Sequence, residues 1–411
     1  MNNQNGFVIS IITFFILTLM LSTGLSMSAV TLYRQKIATN AVKSTQSYYA
    51  AEAGAEDALW RLNNNSQMAP LSYALTMNGA TASVVVSAIV GGSRTITSQG
   101  DNSGIIRKLQ LVYSIDAQGV SFHYGVQVGI GGLQTANESE VQGNVFSNGS
   151  VTGTGTIVNN VIVAGTNNIN GVHIMGDALV HSCLNATVDG NLTYVTGGTV
   201  VNCTVGGATL TQSGAVDPEP LPILQSQIDA WKAEAEAGGV IADNIVITDD
   251  APVSMGPVKI AGNLVLLNNA TLNLTGTLYV TGSILANNGA TIKLDNSYGS
   301  VGGALLSDGV ITLSNNTLVT GSGQPGSYLL ILSSDSSSLA IVAENNVNGA
   351  AILYTTLGTV QVHNNVNVRE VTGNAVALSN NAIIQYESGL ENAFFANGPG
   401  GGWKVTSWGE K

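Results

Sequence analysis

Apolar positions along this chain change their period three times, and each change predicts a different element. From Phe7 to Tyr33 the run FVISIITFFILTLMLSTGLSMSAVTLY contains no Asp, Glu, Lys, Arg or His. Roughly 20 apolar residues cross a hydrocarbon core of about 30 Å, so this run is long enough to span a bilayer. Helical patterning continues beyond it, because Arg34 to Leu62 has no Pro, a single Gly (Gly54) and many Ala, the best helix former. Ile37, Ala41, Ser44, Tyr48, Ala51, Ala55, Ala58 and Leu62 recur at spacings of three and four, which predicts one buried stripe. A single helix from Phe7 to Leu62 would be about 84 Å long and would end at the breaker Asn63, Asn64, Asn65.

The period then falls to two. Ala82–Ile89, Arg94–Ser98 and Arg107–Tyr113 are β-rich runs separated by Gly91-Gly92 and Gly100-Asp101-Asn102, the pattern of a small antiparallel meander. Leu109, Leu111 and Tyr113 give it one buried face. Three strands alone are marginal, so the helix after Arg34 is expected to supply the missing core.

From about Val120 onward the texture is short apolar triplets separated by Gly, Asn and Thr. The Gly-Asn element returns at Gly143-Asn144, Gly190-Asn191, Gly262-Asn263 and Gly373-Asn374. Short, closely spaced strands with such corners suggest a right-handed parallel β-helix with an irregular repeat. Paired asparagines at 159-160, 167-168, 268-269, 287-288, 315-316, 345-346, 364-365 and 380-381 suit its corners, since Asn tolerates left-handed backbone and its amides can stack between coils. A β-sandwich would show longer strands and more aromatic core residues, and aromatics are only 6% here. One interruption stands out: Asp217-Pro218-Glu219-Pro220-Leu221-Pro222 breaks the β pattern. Ile223 to Ala237 then forms an amphipathic helix ended by Gly238-Gly239, expected against the side or end of the solenoid. Trp403 and Trp408 in the tail are expected to cover an open edge or the helical stalk.

Charge separates the two regions further. Residues 1–108 hold seven Lys/Arg against four Asp/Glu, whereas 109–411 hold six against twenty-one. An acidic surface rich in Gly, Asn, Thr and Ser suits an exposed extracellular domain, and a net charge of −12 disfavours a nucleic-acid partner.

Gly6-Phe7 followed by an unbroken apolar helix resembles the class III signal of type IV pilins. The stretch Tyr48-Tyr49-Ala50-Ala51-Glu52-Ala53-Gly54 is similar to the AAEAG signature of the PilX-type minor pilin N-terminal family. The resemblance covers about the first sixty residues and fades by about residue 115. It implies prepilin peptidase cleavage between Gly6 and Phe7, methylation of the new N-terminal Phe7, and packing of the helix among other pilin subunits. Two departures stand out. The leader MNNQNG lacks the usual Lys or Arg, and Ile11 stands where most pilins carry a glutamate. The second departure implies a subunit at a filament tip, because Ile11 cannot neutralise the N-terminal amine of the subunit ahead.

Catalytic signals are sparse. Asp249-Asp250 is the only adjacent acidic pair beyond residue 108 and reads as a solvated turn rather than a glycosidase pair. Asp177, Asp189, Asp243 and Asp308 fall in no spaced calcium loop. His123, His173, His181 and His363 are scattered, without a metal-binding spacing, so no cofactor or metal is expected. Cys183 and Cys203 lie twenty apart, close to one coil. They form either a disulfide in an extracytoplasmic setting or two buried thiols.

The sequence therefore predicts an α+β chain. It comprises a leader (1–6), a transmembrane helix (7–33) and its extracytoplasmic continuation (34–65), then a small β meander (66–116). A first β-helix half (117–216), a Pro-rich linker with an inserted helix (217–240), a second β-helix half (241–393) and a tail (394–411) follow. Its expected role is that of a non-enzymatic, single-pass pilin-like subunit presenting an acidic head for assembly and adhesion. Expected partners are other pilins, the prepilin peptidase, the membrane, and a surface glycan or protein. The competing class is a surface-anchored, β-helical carbohydrate-active enzyme, which a carboxylate cluster on one solenoid face would favour over a smooth Asn/Thr/Ser face.

Overall fold

Gln4–Asn64 form one uninterrupted helix, α1, some 90 Å long. The computed structural model describes residues 4–65, 68–90, 92–248, 251–396, 398 and 403–411. These fall into two compact units. The first comprises the chain up to Ala88, Arg94–Tyr113 and Val405–Lys411, and the second Ile89–Ser93 and Ser114–Lys404.

In the first unit the C-terminal half of α1 lies on an antiparallel sheet. Its strands β1 (Leu71–Met77), β2 (Ala80–Val86), β3 (Ser93–Asn102) and β4 (Ile105–Ile115) are neighbours in chain order. Alternation buries Ala80, Ala82, Val84 and Val86 of β2 and Leu109, Leu111 and Tyr113 of β4. Against them α1 presents Ser47, Ala50, Ala51, Ala55, Ala58 and Leu62, all buried. The expected stripe is thus real only from Ser47 onward. Ile37 is 52% exposed and Ala41 is exposed, because the sheet reaches only the last turns of the helix. The strand Leu71–Met77 was not among the predicted runs. A fifth strand, Trp403–Glu410, borders β4. Lys411 N–H donates to the Lys108 carbonyl at 2.9 Å, Thr406 Oγ1 to the Val112 carbonyl at 3.3 Å, and Arg107 pairs with Glu410 at 2.8 Å. The open edge that the tail covers is therefore that of the small sheet.

The second unit is a parallel solenoid whose coils each contribute three short strands, for example Val258–Ile260, Leu264–Leu266 and Thr271–Leu274. Stacking pairs Ile169 with Cys183 and Ile311 with Ile341, so one coil takes from 14 to 30 residues. The inner faces of most strands deliver Val, Ile, Leu or Ala to one continuous core, as period-two alternation requires.

The order of coils is not the order of the chain. Along one face the strands run Thr204–Val205, Thr187–Val188, His173–Ile174, Thr156–Ile157, Glu140–Gln142, then Ile383–Gln385, Asn367–Val368 and onward to Val253–Met255. The first half starts in the middle of the solenoid and winds to one end. The chain then returns to the far end and winds back to the middle. There Val371–Gly373 and Ala375–Leu378 pair in parallel with Val126–Val128 and Gly132–Thr135. The halves that are separated in sequence are joined in space at this seam.

The helix α2 (Gln225–Ala237) and the Pro-rich linker cover the outside of one solenoid face. Ile223, Ile228, Trp231 and Ala235 pack with Tyr279, Leu306, Leu330, Ile352 and Tyr354 in a second core. Lys232 pairs with Asp308 at 2.5 Å, and the Tyr354 hydroxyl donates to the Ile223 carbonyl at 3.1 Å. That face is buried on both sides, and its strands Gly303–Ser307, Leu329–Ser333 and Ala351–Thr355 accordingly bury every residue.

Candidate functional site

The first feature with functional content is α1 itself. Its apolar half has no protein cover among the described residues: Phe7 is 71% exposed and Ile11 51%, and none of its most apolar stretch is buried. Six of the hydroxyls within it are satisfied locally. Thr13, Thr18, Ser22, Thr23, Ser26 and Thr31 each donate to a carbonyl three or four residues back. A helix that closes its own hydrogen bonds and exposes only apolar surface is what a bilayer admits. Gly6 lies in the helical backbone.

The AAEAG stretch is the seat of the small sheet. Ala50, Ala51 and Gly54 face the strands, while Glu52 and Ala53 lie half-buried on the flank. A Cβ at Gly54 would come within 2.5 Å of Ser98 Oγ and 2.7 Å of Val84 Cγ2, and one at Gly100 of β3 within 1.8 Å of the Ser47 carbonyl oxygen. The small residues let helix and sheet backbones approach closely.

Two kinds of polar ladder line the solenoid corners. At one corner Asn287, Asn315, Asn345, Asn364, Asn380 and Asn137 hydrogen-bond amide to amide at 2.8 to 3.1 Å, and the chain of bonds crosses the seam from Asn380 to Asn137. Asn315, Asn345, Asn364, Asn380 and Asn137 have φ between 49° and 61°, where Asn is tolerated far better than most residues. At another corner the Gly-Asn element recurs. Asn144, Asn160, Asp177 and Asn191 each accept the backbone N–H of the next coil, and Asn244 and Asn263 repeat the bond in the other half. Gly373-Asn374 differs, because it forms a bulge within the seam. Of the expected asparagine pairs, 159-160 and 167-168 do not have left-handed backbone.

Cys183 and Cys203 are joined in a disulfide with Cα atoms 6.3 Å apart. They are not at equivalent positions of successive coils. Cys183 stacks on Val200, and Cys203 follows at the next corner, so the bond ties down the terminal coil.

Among the described residues the acidic and histidine side chains do not converge. Asp308 bonds Lys232 and the Tyr279 hydroxyl, His173 meets Asp189 at 2.9 Å, and His363 meets Glu344 at 3.3 Å. His123 and His181 contact Ser121 and Ser182. Asp177 belongs to the corner ladder, and Asp243 is an exposed corner residue beside Asn244. Asp249-Asp250 lies outside the described residues. Among the described residues no group of three His, Cys, Asp or Glu could hold a metal. Outward positions of the long face read Thr204, Thr187, His173, Thr156 and Glu140 along successive coils, a mainly hydroxyl surface.

One buried acid was not singled out in the sequence. Glu370 is fully buried beside Tyr354, Thr372 and Tyr386. Its Oε1 accepts from Thr372 Oγ1 at 2.5 Å, and Oε2 has no partner among the described residues. Burial raises its carboxyl well above the usual range, with the Thr372 bond opposing. Nothing local in Arg-Glu-Val-Thr indicates that this Glu faces the covered side.

No family model and no curated protein matches the chain. Among solved structures, the competence-associated pilin ComZ from Thermus thermophilus is similar over 90% of this chain and 97% of that one. The identity is 12% and the TM-score 0.24, a level at which no common fold follows.

Proposed function

We propose that the chain is a non-enzymatic, pilin-like minor subunit held in the membrane by α1 until assembly, with its acidic solenoid presented at the cell surface or a filament tip. The observation that carries this reading is the two-part character of α1. One half exposes apolar side chains with no protein cover, and the other is seated under a small sheet through Ala50, Ala51, Gly54 and Ala55. Lipid covers the free half before assembly, and the helices of neighbouring subunits cover it afterwards. PilX-type kinship, cleavage after Gly6 by a prepilin peptidase and methylation of Phe7 belong to the same reading, as does adhesion through the solenoid.

Co-expression with a prepilin peptidase tests it. Removal of six residues should leave Phe7 at the N-terminus, and assembled material with Met1 intact would reject the assignment. Placement rests on Ile11. A buried ammonium is costly unless a carboxylate lies near it, and Ile11 offers none to the subunit ahead. Immunogold label should sit at filament ends, and Ile11→Glu should admit the subunit into the shaft. Regular label along the shaft with the unaltered chain would refute the terminal position.

A further inference from the structure

The seam between the solenoid halves opens a concavity of about 650 Å³ on the outer surface, within the usual range for small-ligand sites. Its origin is local. At the seam Ala375 meets Gly132 and Ala377 meets Gln134, so the outward positions of the last coil carry only methyl groups and Gly131 and Gly132 of the first carry no side chain. Taller groups stand on either side: Thr359 and Gln361 one coil before the alanines, Gln134 and Thr152 beyond them. Gln361, Ala377, Gln134 and Thr152 are in register on successive coils. At about 4.8 Å per rung the two glutamines stand about 10 Å apart across the trough.

The chemistry of the walls selects a class of ligand. Residues 109–411 carry twenty-one acidic side chains, yet among the described residues no Asp, Glu, Lys or Arg lines this concavity. The walls are amides and hydroxyls, which offer donors and acceptors together. Gln361 Nε2 is held by the Ser338 carbonyl at 2.9 Å, and Asn167 Nδ2 by the carbonyls of Asn148 and Ala164. Both amide oxygens are thereby fixed as acceptors, while Gln134, Thr152 and Thr359 have no side-chain bond to another described residue. Ile130, 83% exposed, stands at the rim as an apolar surface. An apolar ligand would strand the polar walls, and a charged one would find no counter-charge.

We infer that this trough binds a neutral oligosaccharide, lying across the seam with its hydroxyls between the two amide walls and a ring face against Ile130. The inference deepens the adhesive reading of the solenoid and is independent of how α1 is processed or assembled.

The test uses the full chain in a detergent without a sugar headgroup. Cellohexaose, maltohexaose and an N-acetylglucosamine hexamer serve as probes, and polygalacturonate as the charged comparison. Saturation-transfer NMR and calorimetry should show binding of at least one neutral probe and none of polygalacturonate. Gln134→Ala with Thr359→Ala should weaken binding at least about tenfold. Ala377→Trp, which fills the trough from an outward position, should abolish it, and Thr291→Ala on another face should leave it unchanged. Absence of binding by all three neutral probes, or binding that survives both trough variants, would overturn the assignment. Cleavage after Gly6 and filament labelling read the pilin-like role separately, so either proposal can fail alone.

Discussion

Replacing Gly100 by Ala would test whether the small-residue seat holds the first unit together. Gly100 has no left-handed φ, so the backbone itself accepts alanine and the whole effect is steric. The new Cβ would stand 1.8 Å from the Ser47 carbonyl oxygen and 2.8 Å from the Ala51 nitrogen. Both are helix backbone, which no side-chain rotation can move aside. Relief requires α1 to withdraw from β3 by about 1 Å, and a gap of that size forfeits a quarter to a half of each dispersion contact. The loss falls on Ala50, Ala51, Ala55 and Ala58, which are fully or almost fully buried. Overpacking commonly costs about 1–3 kcal/mol, and a clash with rigid backbone belongs at about 3 kcal/mol. Gly104→Ala is the comparison: nothing lies within 4 Å of its Cβ, but φ is +84°, so only a backbone cost of about 1 kcal/mol applies. Hydrogen exchange on the full chain reads the two units separately. The slowest amides of β3 and of residues 47–62 should exchange about a hundredfold faster in Gly100→Ala, with solenoid amides unchanged. Acceleration under about tenfold would show that the helix does not rest on Gly100.

Glu370→Gln should raise the thermal midpoint of the solenoid at pH 7.5 and leave it unchanged near pH 4. Burial raises the folded carboxyl above its unfolded value, so the unfolded chain releases this proton first, and stability falls as pH rises through the unfolded pKa. Asn364 separates the two duties of the corner ladder. Asn364→Gly keeps φ at 61° but loses the amide bonds to Asn345 and Asn380, about 1–2 kcal/mol by denaturant titration. Asn364→Ala should cost roughly a further 1–2 kcal/mol for the left-handed backbone. Cys203→Ser removes a cross-link of twenty residues worth about 3 kcal/mol in the chain-entropy account. Exchange should accelerate within residues 196–212 and stay unchanged at the seam.

Much of this architecture was legible because it is local. The uncharged run from Phe7 to Tyr33, the alternation Leu109, Leu111, Tyr113 and the amphipathic stretch after Ile223 are patterns a few residues long, and each became the expected element. The asparagine corners were legible for the same reason: left-handed backbone is a property of single residues, and those at 315-316, 345-346, 364-365 and 380-381 adopt it. What could not be read was long-range. The pairing of Val371–Leu378 with Val126–Thr135, the strand Trp403–Glu410 beside β4 and the burial of Glu370 depend on which surfaces meet. In the structure both seam partners are ten-residue strands among solenoid strands of two to five, a length set by the pairing itself. The end of the helical stripe at Ser47, rather than Ile37, reflects the width of a sheet whose first and last strands carry weak patterns.

The seam also sets when this molecule can finish folding. In an ordinary solenoid each new coil lands on the one just made, so the structure can grow as the chain emerges. Here the coil at residues 126–142 is synthesised first among the coils, yet its neighbour on one side arrives only with residues 370–385. Until then the ten-residue strand Val126–Thr135 has a bare parallel edge, and its inward residues Val126, Val128 and Leu133 lack half their packing. Loop closure over that interval precedes any reward from contact. Each half can therefore stack as it emerges, but the seam closes only after the last coil has been delivered. During that wait the same edge in a second chain has an identical register, so crowded synthesis favours exchange of halves between copies.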